Sequence, residues 1–149
     1  TDKSTALVEL GAGYGSKIIS IARKDFALNL DLYAGEISNS GIEIMNIFSK
    51  KLNIKIKTGI YNFKKVNQNS LPIPENSVIY TSYALHYIPK IKKIYIDNIL
   101  NLKPKAFIMF EPFYEHHDSK NIYGLLCKRY IELNDHTTNF EKILKEVKK

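Results

Sequence analysis

The chain has 149 residues, of which 44% are hydrophobic and 25% are charged, and it contains one cysteine. This length and composition fit a single globular domain and exclude a disordered chain, a collagen-like chain and a disulfide scaffold. Cys127 has no partner for an internal disulfide, residues 1–5 do not resemble a signal peptide, and no apolar run approaches the roughly 20 residues that span a bilayer. We therefore expect a cytoplasmic protein without a membrane partner.

The formal net charge of +7 comes with 22 basic residues, and only Arg23 and Arg129 among them are arginines. Recognition of base edges and phosphates favours the planar guanidinium of Arg. The lysines are also scattered along the chain rather than gathered in one segment. The sequence therefore predicts no nucleic-acid partner, although a basic surface would suit an anionic substrate.

Strands and helices alternate along the sequence, which predicts an α/β domain. Residues 26–33 alternate apolar and polar side chains, as a half-buried strand does. Strands are predicted at residues 6–10, 26–33, 54–57, 78–81 and 106–110, and helices at 17–24, 38–52, 91–102, 121–134 and 140–147. Apolar strands separated by helices predict a parallel sheet covered on both faces, and right-handed crossovers predict a three-layer sandwich with strand order 3-2-1-4-5.

A glycine-rich turn, ELGAGYG at residues 9–15, lies between the first predicted strand and the first predicted helix. Glycines at such a turn let a ligand approach the backbone. A dinucleotide-binding G-x-G-x-x-G needs a further glycine where Ser16 stands, and the phosphate-binding G-x-x-x-x-G-K-[ST] fails at the same residue. Glu9 would repel a pyrophosphate and attract a cationic ligand. The turn therefore favours a ligand with a positive charge.

This segment resembles the first motif of the class I S-adenosylmethionine-dependent methyltransferases, E/D-x-G-x-G-x-G, and matches it at every fixed position. The resemblance covers about residues 6–112. It implies a Rossmann-like α/β/α sandwich that binds S-adenosylmethionine at the carboxyl ends of its strands. A full core of this family has seven strands, and residues 113–149 show helical patterns only. We therefore expect residues 1–149 to be one domain that is a fragment or a reduced core, with a helical C-terminal part.

The resemblance also implies which residues bind the cofactor. Glu36 would receive the ribose hydroxyls, and Asn62 would recognise the adenine amino group, although the family more often has Asp there. Each could instead be an ordinary surface or turn residue. The predicted cofactor-binding residues are Glu9, Gly11, Ala12, Gly13, Gly15, Glu36, Ile37, Asn62, Phe63, Thr81 and Ser82.

Three histidines follow the fourth and fifth predicted strands, at the edge of the sheet where ligands bind in α/β proteins. His86 is the first candidate for a general base, and His116 and His117 are the others. Any one of them could instead be a loop residue. Residues 111–118 also combine carboxylates and imidazoles, but we interpret this segment as an acceptor-site or solvated loop and predict no metal.

The sequence thus predicts an enzyme, an S-adenosylmethionine-dependent methyltransferase that acts on a small polar acceptor such as the hydroxyl or amine of a metabolite or sugar. Residues 80–83 read YTSY, not the Asn-Pro-Pro-Tyr type of motif that many amino-methylating nucleic-acid enzymes carry. One alternative is a non-catalytic S-adenosylmethionine-binding or scaffolding domain. The other is a different nucleotide-binding Rossmann enzyme, such as a dehydrogenase.

Overall fold

The computed structural model describes residues 6–147, and its centre is one parallel sheet. The five strands are β1 (Ala6–Leu10), β2 (Asp31–Glu36), β3 (Ile56–Ile60), β4 (Val78–Ser82) and β5 (Ala106–Phe110). All pairings are parallel, and the order across the sheet is β3-β2-β1-β4-β5. The predicted fold class and strand order are therefore confirmed.

Five α-helices connect and follow the strands. They are α1 (Ser16–Ala22), α2 (Asn39–Lys51), α3 (Lys93–Leu100), α4 (Ile122–Leu133) and α5 (Phe140–Val147). The α2 helix begins at its predicted place because the Ser38 hydroxyl accepts a hydrogen bond from the Gly41 N–H. Asn121 caps α4 in the same way through the Gly124 N–H. Within residues 113–147 the elements are helical, as the sequence predicts.

The predicted boundaries of the second strand are wrong. Residues Asp25–Ala27 form a short 3₁₀ helix, and the side chains of Phe26 and Leu28 are 70% and 76% exposed. The alternating pattern there reflects no sheet contact, because pairing with β1 starts where Asp31 aligns with Ala6. As a result, Glu36 is the last residue of the strand rather than a residue beyond it.

The core lies on both sides of the central strands, where Val8, Leu10 and Ile79 are fully buried. The expectation of a sheet covered on both faces is wrong at its edge. Alternate side chains of the edge strand β5 are uncovered among the described residues, with Phe110 57% exposed. The α3 helix turns Ile96 and Ile99 to the core and leaves Ile94 exposed. No helix within residues 6–147 is long and apolar enough to cross a membrane.

Candidate functional site

A cleft of about 830 Å³ opens at the carboxyl ends of β1, β2 and β4. Its size is at the upper end of the roughly 300–1,000 Å³ typical of small-molecule sites. Most of the predicted cofactor-binding residues line it, namely Glu9, Gly11, Ala12, Gly13, Glu36, Ile37, Asn62, Phe63 and Ser82. Gly15 and Thr81 are buried and do not line the cleft. The fold therefore brings nine of these eleven residues to one cavity, and their role in binding stays a prediction.

The three glycines of the turn have positive φ angles but differ in what surrounds them. A Cβ on Gly11 would lie 2.4 Å from the Ala84 Cβ, and a Cβ on Gly15 would lie 2.7 Å from the Met45 Cγ. Packing against neighbouring elements therefore requires glycine at both positions. A Cβ on Gly13 would meet no atom within 4 Å. The space above Gly13 belongs to the cleft.

Glu9 lies at the floor of the cleft and is only 2% exposed. Its carboxylate accepts a hydrogen bond from the Ile18 N–H at 3.0 Å, in the first turn of α1. Burial raises the pKa of Glu9 to about 7, although Tyr80, the Ile18 N–H and the charge of Lys17 each lower it. A carboxyl group that ionises near neutral pH is thus held beside the ligand space.

The hydroxyl of Tyr80 is a buried polar group without a hydrogen-bond partner of standard geometry among the described residues. It lies near Glu9, and burial and the Glu9 charge raise the pKa of this hydroxyl. Buried polar atoms in native proteins almost always have a partner. Glu9 is the polar group that interacts with this hydroxyl, and the interaction lowers the pKa of Glu9 and raises that of Tyr80.

Glu36 links the glycine turn to the start of α2. Its carboxylate oxygens accept hydrogen bonds from the Gly13 N–H at 2.8 Å and the Ser38 N–H at 3.0 Å. Each carboxylate oxygen can accept a further hydrogen bond. Glu36 is 9% exposed and lines the cleft, so this remaining capacity faces the cleft, and a role in ligand binding stays a prediction.

Asn62 has extensive partners within its own loop. Its side-chain oxygen accepts hydrogen bonds from the N–H groups of Lys64 and Lys65, and its amide nitrogen donates to Gln68. These contacts fit the turn-residue alternative as well as adenine recognition. Its neighbour Phe63 is half-buried against Tyr61, with ring centroids 5.3 Å apart. The adenine-binding roles of Asn62 and Phe63 stay predictions.

His86 lies behind the wall of the cleft. Its side chain is 4% exposed, and its Nδ1 lies 3.1 Å from Oε2 of Glu111. A carboxylate can only accept a hydrogen bond, so Nδ1 carries a hydrogen and donates the hydrogen bond to Glu111. The Tyr83 and Tyr87 rings pack on the imidazole, with centroids 5.6 and 4.0 Å away. The role of His86 as a base stays a prediction.

Glu111 lies in the segment that the sequence indicated as an acceptor-site or solvated loop, but its structural role was not predicted. Its side chain is fully buried and accepts hydrogen bonds from the backbone N–H groups of residues 84–86 as well as from His86. A carboxylate at the end of β5 thus fixes the segment that follows β4. One pattern in the sequence could have indicated Glu111. It directly follows an apolar strand, and such a position lies at the edge of a parallel sheet where ligands bind.

The other predicted catalytic histidines do not line the cleft. His116 is exposed and stacks on Phe113, with ring centroids 4.8 Å apart, and His117 is half-buried. Within residues 6–147, no group of three or more His, Cys, Asp or Glu side chains is arranged to hold a metal ion. A catalytic role for either histidine has no support from its position and stays a prediction.

Solved structures with a similar fold include S-adenosylmethionine-dependent methyltransferases. The enzyme from Aquifex aeolicus matches with a TM-score of 0.67 and 14% identity over 99% of this chain and 73% of its own. The plantazolicin methyltransferase BpumL, crystallised with a triazolic desmethylPZN analogue and S-adenosylhomocysteine (SAH), matches with a TM-score of 0.65 and 18% identity over 96% of this chain and 55% of its own. A methyltransferase from Clostridium acetobutylicum matches with a TM-score of 0.57 and 12% identity over 77% of this chain and 46% of its own.

At these identities the similarity shows the fold. The chain spans about half the length of the BpumL and Clostridium acetobutylicum structures. No protein-family model matches the sequence, and no curated protein matches it.

Proposed function

We propose that the chain is an S-adenosylmethionine-dependent methyltransferase. The observation that carries this proposal is the place of Glu9, whose carboxylate accepts from the first turn of α1. In a dinucleotide-binding site a ligand phosphate takes that position at the helix N-terminus. Here the position already holds a buried carboxylate, which would repel a pyrophosphate. The dehydrogenase alternative is therefore disfavoured.

The residues of the cleft fit S-adenosylmethionine. The carboxylate of Glu9 suits the ammonium group of the methionine part, the remaining acceptor capacity of Glu36 suits the ribose hydroxyls, and the open space above Gly13 leaves room for the ligand. The backbone N–H groups of Gly11, Ala12 and Gly13 all donate to protein oxygens, so they offer no cradle for a phosphate. The solved structures with this fold include one with SAH.

When bound, S-adenosylmethionine supplies an electrophilic methyl group on a sulfonium centre. The protein contributes orientation and proton removal. The methyl group would pass to an acceptor oxygen or nitrogen, whose lone pair would form the new bond, while the electron pair of the carbon–sulfur bond would stay on sulfur; Glu9, Gly13 and Glu36 would hold the cofactor for this transfer. A base takes the proton of the acceptor. His86 is the proposed base, because its Nδ1 donates to Glu111 and leaves the lone pair on Nε2.

The proposed acceptor is a small molecule with a hydroxyl or amine group rather than DNA or RNA. The scarcity of arginine, with only Arg23 and Arg129 in the chain, supports this. The cleft also has the size of a small-molecule site rather than of a groove for a duplex. We place the reaction in the cytoplasm because the single Cys127 is a free thiol.

A transfer assay with S-adenosylmethionine labelled in its methyl group tests the proposal. We expect label in a small hydroxylated or aminated product from a panel of metabolites and sugars. Replacing His86 by alanine should lower kcat by roughly 10²–10⁴-fold with SAH affinity nearly unchanged. A full-rate His86→Ala enzyme would remove the proposed base. Tight, salt-sensitive binding to nucleic acid would overturn the acceptor class.

The non-catalytic alternative is kept because His86 is enclosed and has only 4% of its surface exposed. A base must contact the acceptor, and the Tyr83 and Tyr87 rings pack on this imidazole. Binding of SAH without transfer to any member of the panel would favour a binding or scaffolding domain over an enzyme.

A further inference from the structure

One wall of the cleft differs from the rest in its chemistry. We call it the aromatic wall, and it consists of Ser82, Tyr83, Ala84, Tyr87 and Ile88. None of these side chains carries a charge. The charged residues of the cleft, Glu9, Lys17, Glu36, Lys64 and Lys65, all come from other segments. A ligand part that contacts the aromatic wall therefore meets hydrocarbon, two phenol rings and one aliphatic hydroxyl.

The two tyrosine rings of this wall are held from behind and open in front. Both pack on the buried imidazole of His86, while 62% of Tyr83 and 66% of Tyr87 remains exposed. The His136 ring packs on the same imidazole, with centroids 4.8 Å apart, and lies 5.2 Å from the Tyr87 ring. Burial and the nearby His86 lower the pKa of His136. A neutral imidazole therefore lies beside Tyr87 at neutral pH.

The backbone of the wall is fixed from two distant parts of the chain. Glu111 accepts from the N–H groups of residues 84–86. Thr137 donates its N–H to the His86 carbonyl at 2.8 Å and its hydroxyl to the Ile88 carbonyl. Tyr83 keeps a φ of 53°, a left-handed conformation that is uncommon for a tyrosine. Exposed rings on a rigid backbone are typical of a surface that is preorganised for stacking.

From these observations we infer that the aromatic wall is the acceptor subsite and that it selects an uncharged planar aromatic ring bearing a hydroxyl or ring nitrogen as the nucleophile. This inference rests on the proposed function and narrows its acceptor class. The ring stacks on Tyr83 and Tyr87. Methyl transfer requires its polar atom to face the part of the cleft that Glu9 and the glycine turn line.

Calorimetric titration with 2-naphthol and with decahydro-2-naphthol tests the inference, because the two probes share a hydroxyl and a carbon skeleton and only one is aromatic. Each titration is run on the chain with and without SAH. We expect 2-naphthol to bind about tenfold more tightly than its saturated counterpart, the scale of two stacking contacts. Equal affinity of the two probes would overturn the inference.

Substitutions at Tyr87 test whether the preference for 2-naphthol comes from the aromatic wall. Tyr87→Ala should lose most of the tenfold preference and Tyr87→Phe should retain it, because phenylalanine keeps the ring. Phe26→Ala is the matched control, since that ring is 70% exposed and does not line the cleft. An unchanged preference in Tyr87→Ala would contradict the inference. If the unmodified chain does not bind SAH, the proposed function itself fails. That outcome is distinguishable from failure of the aromatic-acceptor inference, in which SAH binds but the two probes bind equally.

Discussion

The two walls of the cleft use buried carboxylates in opposite ways. On the side of the glycine turn, Glu9 and Glu36 line the cleft, and their carboxylates are only partly occupied by hydrogen bonds from backbone N–H groups. Behind the aromatic wall, Glu111 has no exposed side-chain surface. Both of its carboxylate oxygens accept hydrogen bonds from backbone N–H groups, and one also accepts from His86. One wall thus presents carboxylates to the cleft, whereas behind the other wall a buried carboxylate holds the backbone that carries the uncharged rings.

Replacing Glu111 by alanine should have the largest effect on stability. The substitution leaves three buried N–H groups and His86 without their acceptor, which should cost roughly 3–5 kcal/mol of unfolding free energy. Glu75→Ala is the matched control, because Glu75 forms an exposed ion pair with Lys103 and should contribute less than about 1 kcal/mol. Thermal and urea denaturation measure both. Equal stability of the two variants would mean that the aromatic wall does not depend on Glu111.

Replacing Gly13 by valine should affect the opposite wall, mainly by blocking the ligand. Its side chain would enter the open space of the cleft, so SAH affinity should fall about 100-fold or more. The left-handed backbone adds a stability penalty of about 1–2 kcal/mol. Calorimetry of the folded variant at low temperature separates the two effects. Unchanged SAH affinity would count decisively against cofactor binding at the glycine turn.

Replacing Glu36 by alanine should weaken SAH binding by about 1.5–3 kcal/mol, the scale of hydrogen bonds to a charged group. The ribose hydroxyls lose their acceptor, and the Gly13 N–H loses one as well. Titration with SAH and with its 2′,3′-dideoxy analogue measures the hydroxyl contribution. If the variant loses less than threefold in SAH affinity, Glu36 acts only within the protein.

Replacing Glu9 by glutamine should produce the smallest effect, a gain in stability without ligand. Because the folded pKa is about 7 and the ordinary value is 4.5, the unfolded chain releases this proton first, and stability falls as pH rises from 4.5 to 7. Glutamine removes that loss, so the variant should gain about 1–3 kcal/mol at pH 8 and little near pH 4.5. Denaturation at both pH values checks this. A gain of the same size at both would exclude titration of Glu9 as its cause.

The two walls also differ in how far the sequence predicts them. Residues 9–15 are contiguous, and the strand, turn and helix they connect follow from local patterns, so the glycine turn and Glu36 could be predicted. The aromatic wall depends on Glu111 and Thr137, which lie 25–27 and 49–52 residues from the backbone groups they bind. No local pattern reports such contacts. The same limit applies to residues 26–30, where alternation imitates a strand without a pairing partner.

The most direct test of the central claim is a calorimetric titration of the chain with SAH and with NAD, at pH values from 5.5 to 7.5. We predict that SAH binds and that NAD binds at least about 100-fold more weakly, because Glu9 occupies the phosphate position at the start of α1. SAH affinity should rise with pH below about 7, by up to about tenfold per unit, as Glu9 loses its proton, and Glu9→Gln should abolish that rise. NAD binding as tight as SAH binding, or an SAH affinity that does not change with pH, would contradict this account.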